Sequence, residues 1–403
     1  MVAAPVFATE VQYNPRVEVD TGYDDNANLS GVSSAKIGTA TEGADAQLEV
    51  VADEPNWQMH ITPEVRGAYF PGNTDLDSNG EFLNFFGQRT GPRYTLGMYA
   101  SGSSQSLLKS YLPTAALGPG AGLGQQEPGA TVGNLTSNRQ LLGYVAPNYS
   151  LQITPRRKIE FNASYTDATY NHNLADGYTD YRNATGSAAL VLEATQTGSL
   201  ALRALGSQFK PDVGFTTDTY GFETEWDGHF SATKEYYLRL GVNRTTFSVA
   251  GTVPDGAVPN GSVAPSTNLS VGVGTHWVYQ VTELFIDLTR EVAPTSQGYA
   301  VEQRQLRLRL SRRLTPRFAA FVGARVIIND AFAGASINVP SQQYEYGIAG
   351  FEWRVTRALA LVTEADVTHA VYVGPSARSD AVRIALVYQP HRLAEGPAIS
   401  VGY

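Results

Sequence analysis

Cysteine is missing from all 403 residues. No disulfide staples the chain, and no thiolate is available as metal ligand or nucleophile. This suits a protein that crosses an oxidising periplasm without forming disulfides. Charge is sparse at 17% of residues, below the roughly 25% of ordinary soluble domains. Cationic residues are the scarcer sign: 29 Lys and Arg against 38 Asp and Glu give a net charge of −9. That leaves no basic footprint, so nucleic acid is not expected as a partner. No apolar run reaches the roughly 18 residues that a membrane-crossing helix needs. The histidines (His60, His172, His229, His276, His369 and His391) lie in no metal-ligand spacing, and no serine elbow motif accompanies them. The expectation is a non-enzyme with no metal and no cofactor. The Gly118–Gly124 run precedes no helical pattern, which excludes a phosphate cradle.

Tyrosine and glycine are plentiful, at 22 and 39. Short turn signals recur roughly every 35 to 50 residues. They read Asp53-Glu54-Pro55-Asn56, Thr90-Gly91-Pro92-Arg93, Thr154-Pro155-Arg156-Arg157, Thr195-Gln196-Thr197-Gly198, Ala232-Thr233-Lys234, Thr315-Pro316-Arg317 and Thr356-Arg357, with one more near Val281-Thr282. Between consecutive turns lie two strand-length segments joined by a looser loop rich in Gly, Asn, Asp and Ser. Tight turns on one side and long loops on the other describe a transmembrane barrel. The fold class expected is all-β: an antiparallel up-and-down β-barrel of about 18 strands, with 16 as the rival count. Both termini fall on the periplasmic side, and the segment 380–389 closes against 11–23. Residues 9–390 form one barrel domain. Residues 1–8 end in Val6-Phe7-Ala8, which resembles the end of a secretory signal cleaved after Ala8. Residues 391–403 are a closing segment or a tail.

Alternation assigns the faces. Trp57, Met59, Ile61, Pro63, Val65, Gly67 and Tyr69 share one parity, and Gln58, His60, Thr62, Glu64 and Arg66 share the other. Pro63 lacks a ladder donor, so a bulge is expected there. Leu306, Leu308 and Leu310 likewise oppose Arg307, Arg309 and Ser311. A charge on the lipid parity costs about 2–4 kcal/mol at mid-bilayer, so charged residues are assigned to the lumen. The residues so placed are Arg239, Glu283, Asp287, Arg307, Arg309, Arg325, Glu364, Asp366 and Arg383. Acidic groups precede basic ones on neighbouring segments: Glu283, Asp287 and Glu291 before Arg307 and Arg309, Glu223, Glu225 and Asp227 before Arg239, and Glu364 and Asp366 before Arg383. Cross-strand ion pairs in the wall follow. Aromatics near segment ends (Trp57 and Tyr69, Tyr94 and Tyr99, Tyr236 and Tyr237, Trp277 and Tyr279) suggest interfacial girdles. Tyr99, Tyr144, Asn148, Asn162, Tyr237 and Asn243 lean inward, where rings and amides suit sugars. The longest loop, 107–138, either folds inward as a constriction or lies outside as a flap; a second spans 250–265.

The first strand leads into Gly22-Tyr23-Asp24-Asp25-Asn26-Ala27-Asn28-Leu29. This opening resembles that of the β-barrel porin 2 family and of outer-membrane proteins found with exopolysaccharide and exosortase systems. The turn Leu314-Thr315-Pro316-Arg317 and the ending Val382-Arg383-Ile384-Ala385-Leu386-Val387-Tyr388-Gln389-Pro390 are similar to that family as well. The resemblance implies a bacterial outer-membrane channel that exports a surface polysaccharide, and carries no catalytic residue. The partners expected are membrane lipid and lipopolysaccharide, a polysaccharide solute and periplasmic export proteins. The alternatives are a general diffusion porin, or a plugged barrel that docks surface assemblies. For Asp24 to Asn28 the alternatives are a cation site and a turn cap, and short polar side chains that bond their own backbone favour the cap.

Overall fold

A computed structural model describes residues 10–106, 139–171, 178–231, 233–250, 265–295, 298–330, 342–371 and 376–390. The expectations for residues 1–8, for the 107–138 loop, for most of the 250–265 loop and for 391–403 fall outside them. The first strands are β1 (Glu10–Asp24), β2 (Thr39–Glu54), β3 (Trp57–Tyr69), β4 (Ser78–Thr90), β5 (Tyr94–Ser106) and β6 (Arg139–Thr154). Next come β7 (Arg157–Tyr170), β8 (Tyr181–Thr195), β9 (Gly198–Pro211), β10 (Gly214–Ser231), β11 (Lys234–Ala250) and β12 (Ser266–Tyr279). The last are β13 (Thr282–Pro294), β14 (Ala300–Thr315), β15 (Phe318–Asp330), β16 (Gln342–Arg354), β17 (Leu359–Val371) and β18 (Ala377–Tyr388). All 18 belong to one antiparallel sheet, and β1 pairs both β2 and β18. The seam runs from Val17 opposite Tyr388 to Asp24 opposite Ala381. Closure removes every sheet edge, the condition for a sheet to cross lipid. The strand count is therefore 18, not 16.

Each turn signal in the sequence sits between two strands at one end of the barrel. Several are capped by their own hydroxyl. Thr154 Oγ1 accepts from the Arg156 amide at 3.4 Å, Thr195 Oγ1 from Thr197 at 3.2 Å and Thr315 Oγ1 from Arg317 at 3.3 Å. Thr356 Oγ1 accepts from both Ala358 and Leu359, at 3.2 and 3.0 Å. Short turns mark the periplasmic end. The loops at the other end are not uniformly long: Asp212 and Val213 alone join β9 to β10. Strand pairing extends far enough there that no spare chain is left.

No bulge forms at Pro63. The β2–β3 register passes from Gln47–Glu64 to Val50–Ile61 without a shift, and the pairs between simply drop out of the ladder. The β6–β7 ladder drops the pairs around Pro147 in the same way. A missing N–H removes bonds locally, and the other bonds of the strand hold the register.

Exposure follows parity. Outward side chains include Val19 at 57%, Tyr220 at 62% and Phe222 at 77%, values that would be costly facing water and are ordinary facing lipid. Of the aromatic pairs expected as girdles, Tyr99 and Tyr237 face inward, because each lies an odd number of positions along the strand from its partner, Tyr94 or Tyr236, and alternation puts the two on opposite faces. All four tryptophans, Trp57, Trp226, Trp277 and Trp353, stand on the outward parity near periplasmic strand ends.

The opening motif is a cap. Asp24 Oδ1 accepts from the Asn26 amide and from Ser379 Oγ, both at 2.8 Å. Asn26 is fully buried. Its Nδ2 donates to Arg378 O at 2.7 Å and Ser30 O at 3.0 Å, and its Oδ1 accepts from Ser30 N at 2.9 Å. Asn28 ties Ala35 and Ile37 into the same loop, and Leu29 takes a left-handed φ of 45°. The amides and acids are used by neighbouring donors and acceptors, several from β18. Asn26→Ala is expected to lower barrel stability by about 2 kcal/mol, because it strands buried backbone groups. Heat-modifiable gel migration reads this as a lower transition temperature; an unchanged transition would show that the loop does not brace the seam.

Candidate functional site

Register places all nine sequence-assigned residues on the parity that opposes the exposed apolar side chains. They form separate clusters. On β17, β18 and β1, Arg383 Nε donates to Glu364 Oε1 at 2.7 Å, and its Nη1 reaches Glu18 Oε1 at 3.1 Å. Asp366 lies opposite Ala381 and Ile348 in the ladder. On β13 and β14, Arg307 clamps Asp287 Oδ2 from Nε at 3.0 Å and Nη2 at 2.7 Å. Arg309 lies opposite Phe285 and Gly323 and is buried. Arg325 is buried opposite Arg307; with the Gln305 amide oriented to satisfy both of its atoms, that oxygen accepts from Arg325 at 2.9 and 3.1 Å.

Two of the expected partnerships are replaced. Arg239 pairs with Glu291 on β13 at 3.6 Å rather than with an acid on β10. Glu283 bonds His276 Nε2 at 2.9 Å rather than an arginine of β14. For Glu283 the reason is the β12–β13 register; for Arg239 it lies in glycines on the inward parity. A Cβ on Gly272 would meet Arg239 at 3.0 Å, one on Gly241 would meet Glu223 and the Phe222 carbonyl, and one on Gly274 would strike the Tyr237 ring. Without Cβ atoms these strands let a long side chain lie across them. Tyr237 thereby donates across β12 to Asp287, and Ser270 Oγ donates across β11 to Glu223 at 2.7 Å. The β10 acids are claimed instead by Arg203 on β9, which bonds both Glu225 oxygens at 3.2 and 3.3 Å. Arg203 and a second network of Arg16, Glu18, Asp45, Glu64 and Arg66 on β1 to β3 lie beyond the sequence-assigned set. Parity marks them as inward in the sequence; only the register shows whom they meet.

One sector of the inner wall has a different chemistry. From β4 to β8 the mid-strand inward residues carry no charge: Asn84, Tyr99, Ser101, Tyr144, Asn148, Asn162, Ser164 and Thr185 among them. The Tyr99 hydroxyl donates to Asn84 at 3.0 Å, the Tyr99 and Tyr144 rings lie 5.9 Å apart, and Ser164 shares a 2.6 Å bond with Thr185. These side chains are half-buried, and Asn148 and Asn162 are exposed, whereas Glu223, Asp287, Arg309 and Arg325 across the barrel are buried. Accessible lumen thus borders the uncharged sector. Tyr237 and Asn243 stand apart from it, on β11.

At the outer end the lumen is lined by aromatics. Tyr170 stacks on Tyr178 at 5.1 Å, and Tyr181 packs against Phe209 at 5.4 Å. The segment before β14 comes over to them: Gly298 O accepts from the Phe215 amide at 2.9 Å, with Gly298 and Gly214 at φ of 83° and 121°. Burial pushes the neighbouring Tyr299 hydroxyl up to about 12. At the periplasmic end a recess of about 610 Å³ is lined by Asp227, His229, Glu235, Tyr237, His276 and Phe285, with others. Among the described residues no group of three or more His, Asp or Glu could hold a metal ion.

A closed 18-strand barrel with an apolar exterior and a polar interior is an integral protein of the bacterial outer membrane. Among solved structures the chain is similar to the FrpB iron transporter of Neisseria meningitidis, at 12% identity and a TM-score of 0.42, covering 89% of this chain. The chain spans 62% of that protein's length. It is similar also to Pseudomonas aeruginosa OccK2, solved with glucuronate, at 9% identity, a TM-score of 0.46 and coverage of 94% and 97%. Acinetobacter baumannii OccAB3 matches at 8% identity and a TM-score of 0.44, covering 94% and 99%. No family model matches the sequence, and no curated protein does.

Proposed function

We propose that the barrel is a conduit for hydrophilic polymer, and that the polymer is an exopolysaccharide leaving the cell with the help of periplasmic export proteins. The observation that carries this is the uncharged sector on β4 to β8. Tyrosine rings offer apolar faces to sugar rings, while amides and hydroxyls exchange hydrogen bonds with sugar hydroxyls. Elsewhere most of the charges are paired with an opposite charge within the wall, which weakens the field that a neutral solute meets. The opening motif's resemblance to exopolysaccharide-associated barrels points the same way.

Planar-bilayer recording with neutral oligosaccharides tests the reading. Wild-type current, or current after deletion of 107–138, is expected to show saccharide-dependent interruptions. Tyr99→Ala with Tyr144→Ala should shorten them by up to roughly tenfold, from about 0.5–1.5 kcal/mol of ring contact. Steady current indifferent to saccharide would indicate a diffusion porin. No current in either form would indicate a docking barrel.

A further inference from the structure

Arginines at the two rims are treated differently. At the outer rim they are matched with acids: Arg139 lies 3.8 Å from Glu81, Arg182 3.7 Å from Asp167, Arg290 2.9 Å from Glu302 and Arg378 3.1 Å from Asp380, and Arg304 pairs with Asp330. Arg244 is the exception there. At the periplasmic rim the inward Arg354 also has an acid, Glu352 at 3.2 Å, but seven others do not: Arg93, Arg156, Arg317 and Arg357 occupy turn tips, and Arg89, Arg157 and Arg312 occupy the outward parity at the strand ends beside them. All seven are exposed, and among the described residues none of them has a side-chain hydrogen bond or an acid in reach. The turns do not need them. Threonine hydroxyls cap the backbone and proline presets φ in three of the four, so the repeated arginine adds nothing to turn geometry.

Their surroundings are a lipid interface. Arg89 stands directly opposite Trp57 on the outward parity. Arg312 lies on that parity between Leu310 and Leu314, which are 37% and 52% exposed. Trp353 borders the Arg317 turn through its pair with Phe318, and the Lys234 ammonium sits 5.5 Å from the Trp277 ring centroid. Tryptophans at this level mark the headgroup region, where arginines meet phosphodiesters, which they bind in bidentate fashion. A soluble partner would meet the tips but not Arg89 or Arg312, which point sideways into the bilayer. We infer that the turn arginines form a binding ring for anionic phospholipid headgroups of the periplasmic leaflet. The ring is independent of what passes through the lumen.

The test is native mass spectrometry of the full chain released from zwitterionic detergent with added phosphatidylglycerol or phosphatidylethanolamine. Wild type should retain phosphatidylglycerol preferentially. The quadruple variant Arg93→Gln, Arg156→Gln, Arg317→Gln, Arg357→Gln should lose that retention by roughly tenfold or more. Lysine at the same positions should keep much of it, and Arg182→Gln with Arg378→Gln should leave it unchanged. Equal retention of both lipids by wild type, or undiminished preference in the quadruple variant, overturns the inference. Arginine-dependent capture of polyglutamate without lipid preference would likewise overturn it in favour of an acidic protein partner. Should the quadruple variant fail to fold, salt decides on wild type: the preference should vanish at high ionic strength, and a salt-insensitive preference overturns the ring.

Discussion

Leu308→Arg is expected to block assembly, while Arg309→Leu leaves most of the protein folded. The two positions are neighbours in the middle of β14 and differ in facing. Leu308 stands on the lipid parity opposite Ile286 and Ala324. An arginine there costs about 2–4 kcal/mol at the bilayer midplane, a large share of the roughly 5–15 kcal/mol that holds a typical fold. Arg309 is buried on the inward parity against Phe285, where leucine keeps the stem's packing and gives up the head's interactions on the polar side of the wall, a smaller loss than placing a charge in lipid. Heat-modifiable migration of the two variants measures the difference. Equal defects would contradict the facing of β14.

The second large effect is expected at Asp287. This carboxylate is 2% exposed; it is clamped by Arg307 and receives the Tyr237 hydroxyl from two strands away. Asp287→Ala leaves Arg307 charged and without its clamp inside the wall, which costs about 3–5 kcal/mol. Removing both partners, as Asp287→Leu with Arg307→Leu, should recover much of the loss, because no uncompensated charge remains. Denaturant unfolding in detergent gives all three values. A single variant as stable as wild type would show that these pairs do not brace the barrel.

Much of this is legible in the sequence. Period-two alternation and recurring turns indicate facing, the closing seam and a strand number of about 18, with 16 left open until the pairing is known, because each strand must repeat the same partition between lipid and lumen. Ion-pair partners were less legible. Arg239 reaches Glu291 only because Gly272 has no side chain in the way, and Glu283 finds His276 through a β12–β13 register that no alternation encodes. The uncharged sector was half legible: Tyr99, Tyr144, Asn148 and Asn162 read as inward from parity, but their adjacency across β5 to β7 needed the pairing. The rim arginines were present in the repeated Thr-Pro-Arg turns. Their lack of acids emerged only beside the matched arginines of the opposite rim.

The absence of native cysteine permits a direct test of barrel closure. Val19 and Leu386 face each other across the β1–β18 seam on the same side of the wall, whereas Ala385 points to the other side. Val19→Cys with Leu386→Cys, folded in lipid and mildly oxidised, should form an intramolecular disulfide, and Val19→Cys with Ala385→Cys should not. Failure of the first pair, or equal cross-linking of both, would contradict a closed barrel joined in this register.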